Sequence, residues 1–152
     1  MYIRASRDAL IRVLNKVGGV VERRQTLPIL GNLLVSAGDN SVQVTGTDLE
    51  VEIRARFSAD VEQAGETTLP ARKFIDICRA IPEGADIAIK VDRERAVISS
   101  GRSRFTLSTL PAADFPLMDG KTGDQRLEIK QGRLKRLFDK TGFAMADRKS
   151  VV

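Results

Sequence analysis

A chain of 152 residues, 42% hydrophobic and 30% charged, has the size and make-up of one globular domain, or of one domain and part of another. It has no histidine and a single cysteine, which removes the commonest general base and metal ligand, rules out an internal disulfide and fits a reducing cytoplasm; no apolar run approaches the roughly 20 residues of a membrane span, and a signal peptide's hydrophobic stretch is missing. The net charge of +5 is a property of the tail, because residues 1–120 carry 16 basic and 16 acidic side chains while residues 121–152 carry nine and four.

In chain order, MYIRAS reads as a short strand running straight into a helix over residues 7–16, with Ser6 as its cap and Gly18 or Gly19 as its end. ILGNLLVSAG, SVQVTGTDL and VEIRARFSADV then alternate as antiparallel strands, with a tight hairpin at GDNS. The pattern repeats. TTLPARKFIDICRAIP is a second strand and helix (72–79, stopped by Pro82), followed by ADIAIKVD, RAVISSG and RSRFTLSTL, with a hairpin at DRER. The helical stripes match position for position: Leu10, Val13, Leu14 and Val17 in the first helix, Phe74, Ile77, Cys78 and Ile81 in the second. Ile3 and Ala5 in the first strand correspond to Thr67 and Leu69 in the second. LPAADFPLMDGKTGD, rich in Pro, Gly and Asp, reads as a linker, after which RLEIKQGRLKRLFDKTG starts a third strand and helix (133–140) with the stripe Leu134, Leu137, Phe138, Thr141. The expected fold class is α+β: paired βαβββ units with two helices packed on one face of antiparallel sheets, spanning 1–120. Residues 121–152 hold a linker and the beginning of a second domain.

The three helical segments carry ten basic and three acidic side chains. A basic helix face is ordinarily just solvated surface, but the same bias on three corresponding helices suits a phosphate backbone followed without reading bases. Aromatics do not interleave with these charges, so stacking on single strands is not indicated. Cys78 lies in an apolar stripe and reads as a small core hydrophobe. A rival reading from another class rests on Asp48, Glu50 and Glu52, whose alternation would place three carboxylates on one strand face, a spacing able to hold Mg²⁺ for phosphodiester hydrolysis. Neither a base, a nucleophile nor a phosphate-cradling glycine loop accompanies them.

The segments QTLPILGNLL, TGTDLEVEIRA, TTLPARKFIDICRAIPEGA and SGRSRFTLSTLPAADFP resemble the β subunit of bacterial DNA polymerase III, the sliding-clamp family, and the resemblance runs from residue 1 to about Asp147. It implies the DNA-clamp fold, with helices lining a hole through which duplex DNA passes non-specifically, and sheets on the outside. It implies no catalysis and no cofactor. The implied role is processivity: tethering the replicative polymerase during DNA replication in the cytoplasm, with DNA polymerase III subunits, the clamp loader and a second clamp subunit as partners and no membrane. By position it implies Arg24 and Arg72 as DNA contacts. It further implies a joint with the neighbouring subunit along the strand RSRFTLSTL, with Phe105 and Leu107 as its apolar centre, partly exposed in this chain. Lys73, Arg95, Arg102 and Arg104 would face acidic side chains there.

After GFAMAD the sequence departs from the family pattern and reads RKSVV. The expectation is one complete domain plus the first strand and helix of a second, without a client pocket and unable to close a two-subunit ring. An interaction fragment using only the joint strand is the remaining alternative.

Overall fold

The computed structural model describes residues 1–21, 27–118 and 127–145. The chain divides into two compact units, Met1–Met118 and Asp119–Val152.

In the first unit, strand β1 (Tyr2–Ser6) passes directly into helix α1 (Arg7–Val17). Ser6 makes the change possible: its backbone is extended, and its Oγ accepts the Ala9 amide at 3.1 Å, satisfying one of the helix's orphan donors. Strands β2 (Asn32–Gly38), β3 (Ser41–Thr47) and β4 (Glu52–Ser58) follow, then β5 (Asp60–Gln63). The second repeat is β6 (Gly65–Pro70), helix α2 (Ala71–Ala80), β7 (Asp86–Asp92), β8 (Arg95–Ser100) and β9 (Ser103–Ser108). The β2–β3 hairpin closes through Asp39 and Asn40, both at positive φ (48° and 53°), the left-handed pair whose twist suits a two-residue turn. In the β7–β8 hairpin, Arg93 takes φ 50°.

The repeats exchange their first strands. The five-stranded sheet has the order β5-β1-β7-β8-β9, and the four-stranded sheet the order β4-β3-β2-β6. Thus β1 pairs with β7 of the second repeat, Ile3 opposite Ile89, while β6 pairs with β2 of the first, Leu69 opposite Leu33. The inward side chains of both sheets and the stripes of α1 and α2 make one core, in which Ile3, Leu14, Leu69, Phe74 and Cys78 are inaccessible to solvent. Gly46 on β3 permits the close seating of α1, since a Cβ there would lie 2.9 Å from Cγ1 of Val17. The sheets adjoin where Thr68 of β6 bridges Leu110, just past β9: Thr68 Oγ1 donates to the Leu110 carbonyl (2.8 Å) and accepts the Leu110 amide (3.1 Å) and Asn32 Nδ2 (2.9 Å).

Three expectations are corrected. VEIRARFSADV is not one strand, because the Ala59 amide bonds to the Asn40 carbonyl (3.1 Å) and the chain crosses to the edge of the other sheet as β5. The linker does not begin at Leu110: Thr68 pins Leu110, residues Ala112–Asp114 form a 3-10 turn, and Phe115 is buried in the first unit. In the second unit, residues 127–130 form no strand. A helix satisfies its own backbone donors, whereas a strand needs a neighbour, and none of the described residues pairs with this one. Helix α3 (Gln131–Thr141) is present as expected, with Leu137 and Phe138 more than half exposed.

Replacing Phe74 with alanine removes the largest fully buried side chain and is expected to cost about 3–5 kcal/mol. Ser6→Ala, which loses only the cap, is expected to cost about 1 kcal/mol. Urea unfolding of the two variants reads both, and a Phe74→Ala cost below that of Ser6→Ala would contradict this description of the core.

Candidate nucleic-acid interface

The helical surface of the first unit is built by the same periodicity that builds its core. With Leu10, Val13, Leu14 and Val17 facing inward, Arg12 and Lys16 fall on the exposed side of α1; with Phe74 and Cys78 inward, Arg72 and Lys73 fall on the exposed side of α2. None of these four cations makes an ion pair among the described residues. Between the helices lies a groove of about 360 Å³, lined by Asn15, Gly18, Arg72, Ile75, Asp76 and Arg79 among others. Arg79 Nη2 donates to Asn15 Oδ1 at 3.3 Å, which joins the two helices across it.

Arg7 was counted with this surface and does not belong to it. Its Nε donates to the Cys78 carbonyl (3.2 Å), its Nη1 pairs with Asp8 Oδ1 (3.2 Å), and its side chain is 14% exposed. It bolts the start of α1 to the end of α2. The sequence contained a signal for this, because Arg7 stands three residues before Leu10 and seven before Leu14, on the apolar stripe. The Arg79–Asn15 contact, between residues 64 apart, had none. Burial pushes the neighbouring Cys78 thiol up to about 12, with the Arg7 charge opposing it.

The expected site residues divide as follows. Arg72 is exposed in the first turn of α2, beside the groove, and Arg24 lies outside the described residues. Strand β9 is an edge of the five-stranded sheet, as its expected role requires. Arg104 is exposed on it and Arg102 in the turn just before it, Arg95 is exposed opposite Ser108, and Lys73 is exposed on α2. Phe105 is half-buried opposite Ile98. Leu107 departs from expectation: it is 7% exposed and belongs to the core of its own unit, because its side of β9 faces the helices. An apolar residue on that face is covered by α2 and its neighbours without help from a second chain.

The three carboxylates are not gathered on one strand face. Residues 48–51 form a turn before β4, with Leu49 at φ 77°. Asp48 Oδ1 accepts the amides of Val51 (2.7 Å) and Glu50 (2.9 Å), and these hydrogen bonds, Val51's first, hold its carboxyl below the usual range. Glu52 is taken by Arg54 and by the Met118 amide. Among the described residues no group of three or more His, Cys, Asp or Glu side chains is placed to hold a metal ion.

This architecture matches known proteins. The family model for the DNA polymerase III beta subunit, N-terminal domain, matches residues 1–119. The chain belongs to that family. It is 48% identical over 147 residues to the beta sliding clamp of Escherichia coli strain K12, covering 96% of this chain and 40% of that one; the beta sliding clamp of Pseudomonas aeruginosa PAO1 matches to the same extent. Among solved structures, a sliding clamp (DNA polymerase III subunit beta) from Pseudomonas aeruginosa superposes with a TM-score of 0.92 at 47% identity, and the Caulobacter crescentus polymerase III beta with 0.94 at 41%. These cover 97% and 99% of this chain and 40% of each clamp. The chain thus spans about two fifths of the length of the relatives it matches.

The Cys78 thiol sets a pH dependence. Unfolded, it ionises near its ordinary 9.0; folded, not until about 12. The unfolded state therefore releases its proton first, and this contribution to stability is fully present below about pH 9 and lost as the pH rises towards 12, with a limiting slope of about 1.4 kcal/mol per pH unit. Urea unfolding between pH 8 and 10.5 is expected to fall more steeply for the parent than for Cys78→Ala; parallel curves would refute the assignment. Leu107→Ala is expected to cost about 2–5 kcal/mol, against less than about 0.5 kcal/mol for Arg104→Ala, read by the same method.

Proposed function

We propose that this chain supplies the first DNA-facing segment of a sliding clamp, a non-catalytic processivity element that follows duplex DNA through phosphate contacts. The observation that carries this reading is the set of exposed, unpaired cations Arg12, Lys16 and Arg72 on the two helices that share one side of a clamp fold. A helix face of this kind attracts phosphates through charge, and phosphates carry no sequence information, so the contacts are loose in register and the DNA is free to slide. Arg24 is assigned to the same track by family position. The partners follow from the same reading: double-stranded DNA, a second clamp subunit, and the polymerase and clamp loader of a cytoplasmic replication complex.

The β9 edge is assigned to the joint with that second subunit. Its backbone groups are free to continue the sheet, and Lys73, Arg95, Arg102 and Arg104 surround it with positive charge suited to an acidic partner strand. Phe105, on the same face as Leu107 and packed against the core but only half-buried, offers its uncovered part as the apolar contact. Leu107, being core, supports the strand from beneath.

Fluorescence anisotropy with two unrelated duplexes tests the DNA reading. Binding is expected to be weak, equal for both sequences, and to fall with salt at a slope of about −0.9 per phosphate contact, or roughly −3 for three. Arg72→Ala should reduce that slope by about 1. A sequence preference, or binding unaffected by salt, would overturn the proposal.

A further inference from the structure

Residues 110–118 run along one end of the four-stranded sheet. At one end of the segment, Leu110 is held through both backbone groups by Thr68 on β6, the last strand of that sheet. In the middle, the Phe115 amide bonds to the Ala112 carbonyl (3.1 Å) and its ring is buried, 5% exposed. At the far end, the Met118 amide donates to Glu52 Oε2 at 2.8 Å, and Glu52 is the first residue of β4, the strand at the opposite edge. The segment therefore reaches from one edge of the sheet to the other and is tied at both.

Glu52 is an unusual residue for an edge strand. Its side chain is only 9% exposed, and its other oxygen is taken by Arg54 Nε, which balances the charge. The turn that delivers it is strained: Leu49 has φ 77°, a left-handed conformation unfavourable for a leucine. That strain is held in place by Asp48 Oδ1 on two amides, by Thr47 Oγ1 accepting the Leu49 amide (3.0 Å) and donating to the Val51 carbonyl (2.9 Å), and by the Asp48 amide on the same carbonyl (3.2 Å). These bonds fix the turn immediately before Glu52, and with it the point at which β4 begins.

We infer that residues 110–118 form a strap across the end of the four-stranded sheet and that Glu52 is the positioning residue that latches its far end, fixing the point at which the chain leaves the first unit. A pull on the chain beyond Met118 is then borne by a charge-assisted hydrogen bond on β4 before it reaches Phe115 and the core.

Hydrogen exchange of the full chain, followed at single amides by NMR, tests this. In Glu52→Ala the Met118 amide is expected to exchange about tenfold faster or more, and in Glu52→Gln, which keeps a neutral acceptor, severalfold faster. The Thr109 amide, bonded to the Glu94 carbonyl at 2.9 Å, should be unchanged in both. Leu49→Gly, which adopts the positive φ freely, should leave Met118 as protected as in the parent. A Met118 rate unchanged in both Glu52 variants would overturn the latch. So would Thr109 accelerating in step with Met118 in either variant, since Glu52 would then hold up the whole unit and not the strap's end.

Discussion

The first unit depends on the exchange of two short strands. A β-α-β-β-β repeat alone has too few residues to bury both its sheet face and its helix well. By giving β1 to the sheet of the second repeat and β6 to that of the first, the chain forces both sheets and both helices onto one core. Ile3 and Leu69, one on each exchanged strand, are accordingly fully buried. Neither repeat can open without taking a strand out of the other, which couples their stabilities.

That shared core also decides where charge goes. Since α1 and α2 pack on the same side, the faces they leave uncovered lie on the same side too, and Arg12, Lys16, Arg72 and Lys73 add up instead of being scattered. Two arginines on the strands are paired instead. Arg4 lies over the Tyr2 ring, bonds its hydroxyl and pairs with Glu62, so its pKa is raised, first by Tyr2 and then by Glu62; Arg54 pairs with Glu52. Exposed pairs of this sort contribute little stability. They do neutralise local charge, and Arg12, Lys16, Arg72 and Lys73 lack such neutralisation among the described residues. A track for phosphates arises from what the fold leaves unpaired.

The chain spends its polar groups where elements are joined. Thr68, Arg7 and Glu52 each connect pieces of backbone that belong to different parts of the fold, and Asp48 closes the turn that leads into β4. Among the described residues no buried side-chain nitrogen or oxygen is left without a partner. Such contacts cost desolvation and return specificity of arrangement: the same apolar core could tolerate shifts of a strand end that these bonds do not.

Apart from β5 and the segment 127–130, periodicity in the sequence determined the element order, the inward stripes of α1 and α2 and the two-residue hairpins, because these depend on spacing within a dozen residues; quoted motifs carried the family. Only the tertiary structure decided which strand pairs with which, because the hydrophobic alternation of β1 fits either sheet equally well. It turned Arg7 from surface charge into a bolt, since a residue at the margin of a stripe is buried or exposed according to what lies across from it. It buried Leu107, expected to be partly exposed, for the same reason: alternation separates Phe105 and Leu107 from Arg104 but does not say which side the helices cover. It broke up the carboxylate row of Asp48, Glu50 and Glu52, where a left-handed leucine ends the alternation that sequence spacing assumed. And it left residues 127–130 without a ladder while α3 formed, because a helix closes its hydrogen bonds within itself and a strand must borrow another's.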